Sequence, residues 1–175
     1  MYIPAFDPFH TIYRMLQILK HFDGDDTVEV DRLRIFDFYL LFPYKVHKIR
    51  LKTVDETEFR QLRNERIKER TANPYNAVTH DRQFFERLRP YQMIALSHLA
   101  SYGLIDPELF QEQQVKVLDK DKMQQVMAQL DNNILTESER NVVSWLCYCF
   151  RTTPLNGVYG LKYRTQLLES KYDGC

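Results

Sequence analysis

The chain has 175 residues, of which 44% are hydrophobic and 13% aromatic, and its 24 basic and 24 acidic residues give a net charge of zero. This composition supports one compact domain with a sizeable core, and it excludes a protein attracted as a whole to nucleic acid or to an anionic membrane. No apolar run approaches the ~18 residues of a membrane span and no basic signal-peptide region opens the chain, so we expect a cytoplasmic protein.

The stretch DPFHTIYRMLQILKHF predicts the first helix. Asp7 is a natural N-cap, and Pro8 suits the first helical position because its missing N–H is not needed there. The predicted apolar stripe consists of Phe9, Ile12, Leu16 and Leu19. His10 and Arg14 could join Asp7 in a polar cluster, but we favour a solvent-exposed edge of the helix for both.

The second helix is predicted from Asp31, as its cap, to Phe42, with Pro43 ending it. Its apolar residues cover more than half of its circumference, which indicates either a central core helix or a helix covered by a partner chain. Asp31, Arg34 and Asp37 are expected to be surface charges that pair with the first helix or with a partner. The candidate partner-binding residues are Phe36, Phe38, Tyr39, Phe42 and Asp37.

Residues 45–52 alternate apolar and basic side chains and predict a short strand or an extended connector, and the charged residues 53–70 predict an exposed helix with ion pairs. Clustered cations of this kind could contact phosphate groups. Five acidic residues lie within 53–70, however, so we favour a solvated or protein-docking face. The candidate DNA or phosphate contacts are Lys45, Lys48, Arg50, Lys52, Arg60 and Arg63.

Residues 81–119 predict a helix, a turn before Pro90, a second helix ended by Gly103, and a short strand at 114–119. This order is consistent with a winged helix-turn-helix. The second helix has no Arg or Lys between Tyr91 and Ile105, whereas a helix that reads a DNA groove displays basic and amide side chains. We therefore expect any winged helix here to bind protein.

The C-terminal part predicts helices at about 120–131 and 136–150, the latter with a capping box of Thr136 and Glu139, and a final amphipathic helix over 161–172. Cys147 and Cys149 are two positions apart on a helix and face away from each other, so they are expected to be structural and not zinc ligands. The odd number of cysteines, three, indicates a reducing compartment. No catalytic, phosphate-binding or metal-ligand motif occurs in the sequence, and we expect no cofactor, no metal and no catalytic residue.

Together these elements predict a mainly α fold, with α+β as the alternative: a helical bundle with winged-helix-like modules and one or two short strands. We expect a single compact domain over 1–175. Its sub-modules would be an N-terminal helical hairpin (1–52), a polar connector (53–80) and a winged-helix-like or helical C-terminal part (81–175).

Three stretches, FDPFHTIYRMLQIL, VEVDRLRIFDFYLLFP and LRPYQMIALSHLASYGLID, together resemble the middle components of ABC-three-component systems. This group includes the small subunit of Lamassu-type anti-phage and anti-plasmid defence. The resemblance covers about the first 105 residues. It implies a non-enzymatic bacterial subunit that bridges an SMC- or Rad50-like ATPase and an effector, often a nuclease, with DNA reached through the complex.

Two other functions are alternatives from different classes. The first is a winged-helix transcription regulator that binds its own promoter in a salt-dependent way. The second is an enzyme with an unconventional site made of Asp7, His10, Arg14 and Asp37.

Overall fold

The computed structural model describes residues 3–72, 78–130 and 135–169, and these are mainly helical. A two-stranded antiparallel sheet accompanies the helices, so the predicted mainly α fold class is confirmed. The elements in chain order are α1 (Pro8–Leu19), β1 (Val28–Glu29), α2 (Val30–Leu41), α3 (Thr57–Arg66), α4 (Asp81–Ser101), α5 (Pro107–Gln111), β2 (Gln114–Val115), α6 (Lys120–Gln129), α7 (Glu137–Phe150) and α8 (Leu161–Thr165). Two 3-10 helices, Pro4–Phe6 and Pro43–Lys48, precede α1 and follow α2.

The chain forms two compact units, each built from two separate segments. Unit 1 consists of Met1–Asp37 and Arg87–Thr136, and unit 2 of Phe38–Glu86 and Glu137–Cys175. The charges divide with them: unit 1 has 9 basic and 13 acidic residues, a net charge of −4, and unit 2 has 15 basic and 11 acidic residues, a net charge of +4. The zero net charge of the whole chain therefore conceals two units of opposite sign.

Unit 1 contains α1 and the small sheet. The Asp7 carboxylate accepts hydrogen bonds from the backbone N–H groups of Phe9 and His10, at 2.8 and 3.4 Å, which confirms the predicted cap. In the sheet, Val28 of β1 is paired with Val115 of β2, and an isolated bridge joins Ile105 to Val117. The predicted strand within 114–119 is thus present, although short.

Gly103 ends α4 as the sequence predicts. Its φ of +72° lies in the left-handed region, and the N–H of Leu104 donates to the carbonyl of Leu99 at 3.0 Å, as in a glycine-ended helix. Leu104 and Ile105 are each 1% exposed, so the chain folds back over the helix end.

Unit 2 is centred on the contact of α3 with α7. The indole N–H of Trp145 donates to the carbonyl of Phe59 at 2.9 Å, and the rings of Trp145 and Phe150 pack edge to face. The predicted inward stripe of α7 is confirmed, since Val142, Val143, Leu146 and Phe150 are all buried. The capping box of Thr136 and Glu139 stays a prediction.

The predicted turn before Pro90 is wrong, because α4 is one helix from Asp81 to Ser101 with Pro90 inside it. Pro90 has no N–H to donate, yet the buried stripe runs through it without a change of phase. The members of this stripe are Phe85, Leu88, Gln92, Leu96 and Leu99, all fully buried. Burial on both sides of the proline outweighs the lost hydrogen bond, and the second helix of a helix-turn-helix does not exist here as a separate element.

Three other boundaries differ from the prediction. Residues 43–48 form a 3-10 helix, since Pro43 fixes a helical φ at its start, so the strand or extended connector predicted over 45–52 is wrong for residues 45–48. The second helix begins one residue earlier than expected, which places Asp31 in its first turn and not at the cap. The helix expected over 161–172 ends at Thr165, because Gln166 adopts a left-handed φ of +56°, and residues 170–175 lie outside the described residues. The predicted modules 1–52, 53–80 and 81–175 stay predictions.

Candidate partner-docking surface

A buried ion pair links α1 to α2 inside unit 1. Arg14 and Asp37 are 5% and 0% exposed. The Arg14 side chain donates twice to the Asp37 carboxylate, from Nε to Oδ1 at 2.5 Å and from Nη2 to Oδ2 at 3.3 Å. The predicted pairing of the second helix with the first is therefore present, but the prediction that Arg34 and Asp37 are surface charges is wrong, since Arg34 is also buried, at 2% exposed. The prediction that Arg14 lies on a solvent-exposed edge is wrong, because its guanidinium is buried against the Asp37 carboxylate of the neighbouring helix.

Gln92 of α4 extends this pair into a network. Its Nε2 donates to Asp37 Oδ2 at 2.9 Å and to the carbonyl of Arg34 at 3.3 Å, while its Oε1 accepts from Arg34 Nε at 2.9 Å. Both ends of the fully buried amide are thus used, as a buried polar group requires. The sequence contains one signal for this role, an amide in an otherwise apolar helical stripe.

The same network fixes the N-terminal 3-10 helix. Arg14 Nη1 donates to the carbonyl of Pro4 at 3.4 Å, and Arg14 Nη2 donates to the hydroxyl of Thr11 at 3.0 Å. The Thr11 hydroxyl in turn donates to the carbonyl of Asp7 at 2.9 Å. Arg14 therefore positions the backbone on which Ile3, Phe6 and Phe9 are carried.

Apolar side chains are exposed on and beside this segment. Phe9 is 78% exposed, so its predicted place in the buried stripe of α1 is wrong, and Ile3 and Ile94 are 46% and 45% exposed. The rings of Phe6 and Tyr91 are 5.2 Å apart, and Ile94 follows Tyr91 by one turn on α4. We call these five residues, Ile3, Phe6, Phe9, Tyr91 and Ile94, the N-terminal apolar surface.

The ring contact of Phe6 with Tyr91 joins the N-terminal segment to α4 within this surface. Single exposed apolar side chains are normal on soluble proteins, whereas a group of them with a polar rim marks an interaction site. Arg87 contributes to such a rim, with its guanidinium 5.1 Å from the Phe6 ring centroid. Aromatic and arginine side chains are also the types enriched at protein–protein interfaces.

The residues predicted from the sequence to bind a partner lie elsewhere, in the interior. Their exposure is 8% for Phe42 and 3% or less for the others, and burial also raises the pKa of the Tyr39 hydroxyl. The complete set is Phe36, Asp37, Phe38, Tyr39 and Phe42. Of the two predicted explanations for the many apolar residues of α2, a central core helix or a helix covered by a partner chain, the burial of these residues supports the core helix. No member of this set is exposed for docking.

Two of the six candidate phosphate contacts are also internal. Lys45 is 1% exposed, and its ammonium donates to Asp81 at 2.5 Å and to the carbonyl of Val78 at 2.9 Å. Arg63 is 8% exposed and donates to the carbonyl of Val46 at 3.4 Å. Burial, and then the nearby positive charges of Arg60 and Arg70, lowers the pKa of Arg63.

The other four candidates have accessible side chains. Lys48 and Arg50 are exposed, Lys52 and Arg60 are half-buried, and Arg60 Nη2 donates to the carbonyl of Lys52 at 3.2 Å. Their contact with DNA or phosphate stays a prediction.

The cysteines and histidines show no reactive arrangement in the described part of the chain. Cys147 and Cys149 are buried and reduced. Burial, followed by the negative charges of Glu56 and Glu58, raises the pKa of the Cys149 thiol to about 12, so it is protonated near neutral pH. Within residues 3–72, 78–130 and 135–169, no three His, Cys, Asp or Glu side chains are placed to hold a metal ion.

The residues of the hypothetical enzyme site are engaged in structure. Asp7 caps α1, and Arg14 and Asp37 form the buried pair, so three of the four side chains make structural contacts. None of the described helices is both long and apolar enough to cross a bilayer.

Comparison with known proteins gives one match. No curated protein and no solved structure matches the chain. The model of the family described as ABC-three component (ABC-3C) system Middle Component 5 matches residues 1–173.

Proposed function

Because this chain belongs to the ABC-three component (ABC-3C) system Middle Component 5 family, and so is an accessory subunit of such a system, we propose that it docks a partner subunit through the N-terminal apolar surface. The partners would be an SMC- or Rad50-like ATPase and an effector of nuclease type, bridged by this chain in anti-phage or anti-plasmid immunity. The chain itself would be non-enzymatic.

The observation that carries the proposal is the exposure of Ile3 and Phe9 on a segment that a buried network holds in place, together with that of Ile94 on α4. Burying such side chains against an apolar groove contributes about 25 cal/mol for each Å² removed from water. A rigid surface also loses less conformational entropy on binding than a mobile one. The Arg14 contacts with Pro4 and Thr11 therefore favour docking beyond the apolar area itself.

The bridging role is supported by the opposite charges of the two units. Unit 1 at −4 and unit 2 at +4 attract partners of different sign, and complementary charge raises association rates and suppresses wrong partners. The absence of an enzymatic role is supported by the use of Asp37 and Arg14 in a buried structural network and by the raised pKa of Cys149.

The test is co-expression of the chain with the ATPase and the effector encoded beside it, followed by affinity purification and size-exclusion chromatography. We expect the native chain to co-elute with at least one of them. A Phe9→Ser/Ile94→Ser variant should lose most of this association, since both side chains are exposed and their replacement leaves the core intact.

The matched control is Val54→Ser/Val158→Ser, which removes two apolar side chains that are 82% and 79% exposed on unit 2. It should co-elute as the native chain does. Separate migration of all three native proteins, or equal retention by the Phe9/Ile94 variant and the control, would overturn the proposal.

A further inference from the structure

Unit 2 contains a second buried ion pair that organises its surface. Arg164 donates to the two carboxylate oxygens of Glu56, at 2.7 and 2.8 Å. Arg164 also donates from Nε to the carbonyl of Tyr159 at 2.5 Å and from Nη1 to the carbonyl of Arg50 at 3.1 Å. Glu56 accepts from the backbone N–H of Lys52 at 2.7 Å. One buried pair thus fixes the backbone at residues 50, 52 and 159.

The side chains on this fixed backbone alternate cations and aromatic rings. The Arg50 guanidinium is 4.7 Å from the Tyr163 ring centroid, and the Lys52 ammonium is 5.4 Å from that of Tyr159. The centroids of the two tyrosine rings are 5.6 Å apart, and the rings pack edge to face with an interplanar angle of 74°. Arg50 is exposed and the other three are half-buried. We call these four residues the cation–aromatic cluster.

The loop that carries Tyr159 is tightly constrained. Tyr159 has a φ of +56°, a conformation that non-glycine residues keep only where the surroundings impose it. A Cβ on Gly160 would lie 2.5 Å from the carbonyl oxygen of Asn156, so only glycine fits there. Strain and close packing of this kind are typical of loops that hold a side chain in one place for a function.

We propose that the cation–aromatic cluster binds single-stranded nucleic acid. Single-strand sites combine cations that follow the phosphates with tyrosines and arginine planes on which bases stack. The cluster provides both, on the unit whose net charge is +4. Arg60 adds a further cation, since its guanidinium is bonded to the carbonyl of Lys52.

The rings favour a nucleic acid over an acidic segment of a protein. Carboxylates would use Arg50 and Lys52 and would accept hydrogen bonds from tyrosine hydroxyls, but they would gain nothing from the faces of the Tyr159 and Tyr163 rings. A duplex hides its base faces within its own stack, whereas a single strand offers them. This inference is independent of the proposed docking role, and its test uses the isolated full-length chain.

The experiment measures fluorescence anisotropy of a labelled oligothymidine about 20 nucleotides long, which is longer than a typical ~4–16-nucleotide single-strand site. Titrations at salt concentrations from about 50 to 200 mM give the salt slope. Tyr163→Ala should weaken binding by about 5- to 150-fold, the loss expected for one stacked base. Arg50→Ala should weaken binding and reduce the salt slope by about 0.7.

Two controls separate the cluster from general effects. Tyr163→Phe keeps the ring and should bind within about twofold of the native chain, because stacking does not need the hydroxyl. Tyr148→Ala/Lys68→Ala removes the same residue types at other exposed positions of unit 2 and should also bind as the native chain does. If Tyr163→Ala does not fold by circular dichroism, the exposed substitution Arg50→Ala decides the test.

Three results would overturn the inference. The first is no anisotropy change for the native chain at about 50 mM salt, where phosphate contacts are strong. The second is equal binding by Tyr163→Ala and the Tyr148/Lys68 control. The third is competition by poly-L-glutamate as effective as that by unlabelled oligothymidine, which would assign the cluster to an acidic protein partner.

Discussion

Removing the Asp37 carboxylate should destabilise unit 1 more than any single change at its surface. The substitution Asp37→Ala leaves the Arg14 guanidinium buried without its anion and takes away an acceptor of Gln92. Breaking one side of a buried pair costs about 3–5 kcal/mol, a large part of the ~5–15 kcal/mol by which domains are stable. For a chain of this size we expect the melting temperature to fall by about 6–20 °C.

The assay is thermal and urea unfolding followed by circular dichroism, with amide hydrogen exchange as a local probe. The N–H groups of Phe6 and Asp7, bonded to the carbonyls of Ile3 and Pro4, should lose protection because Arg14 no longer holds the carbonyl of Pro4. The control is Asp25→Ala, which removes an exposed carboxylate of the same unit.

The side chain of Asp25 is exposed, so its replacement should cost no more than about 0.5 kcal/mol. A double variant, Arg14→Met/Asp37→Leu, removes both charges and should be close to the native chain in stability, or above it. The reasoning is refuted if Asp37→Ala and Asp25→Ala unfold alike, or if the double variant is less stable than Asp37→Ala alone.

Three further predictions concern unit 2. Burial raises the pKa of Glu56, but the hydrogen bonds from Arg164 outweigh it and hold the pKa below its usual 4.5. The pair therefore stabilises the fold above pH 4.5, and its contribution is lost as the pH falls through the lowered pKa. Between about pH 6 and pH 3, the urea midpoint of unfolding should drop more for the native chain than for Glu56→Gln. Parallel pH profiles of the two proteins would contradict this. The Cys149 thiol, with its pKa raised to about 12, should react with an aromatic disulfide at pH 8 far more slowly in the folded chain than in urea, in a variant whose other cysteines are alanine, and equal rates would refute its burial. Gly160→Ala should destabilise the chain by about 1–3 kcal/mol in urea unfolding because its Cβ would meet the Asn156 carbonyl at 2.5 Å, and an unchanged midpoint would show that the loop relaxes.

Local signals in the sequence predicted the features that depend on neighbours in the chain. Asp7 before Pro8 fixed the start of α1, and Gly103 fixed the end of α4, because a cap and a left-handed turn are local requirements. The family was also within reach, since the resemblance of the first 105 residues agrees with the match over residues 1–173.

Two of the errors arose where distant segments decide the outcome. The sequence around Arg14 indicates an exposed side chain, but Arg14 is buried because it pairs with Asp37, which is 23 positions away. Proline usually ends a helix, but Pro90 lies inside α4 because the apolar stripe of that helix is buried both before and after it.

The cation–aromatic cluster shows the same limit of sequence reasoning. Arg50 and Lys52 are recognisable as cations, but nothing near them in the chain indicates Tyr159 and Tyr163. Those residues are brought to them by Arg164, which bonds to the carbonyl of Arg50 from 114 positions away.

The alternation of the chain between the two units has a consequence for its synthesis and its truncation. The ribosome releases the first segment of unit 1, then the first of unit 2, before either unit has its second segment. Unit 1 can complete its fold only after residue 136 has been synthesised, and unit 2 only after its second segment has been synthesised. Until then, the apolar side chains of both first segments lack the segments against which they pack. No single cut separates the units: a chain ended after Thr136 keeps both segments of unit 1 with the first segment of unit 2 between them, and a chain begun at Phe38 keeps both segments of unit 2 with the second segment of unit 1 between them. A truncation that removes one segment of a unit therefore leaves the other segment of that unit within the remaining chain.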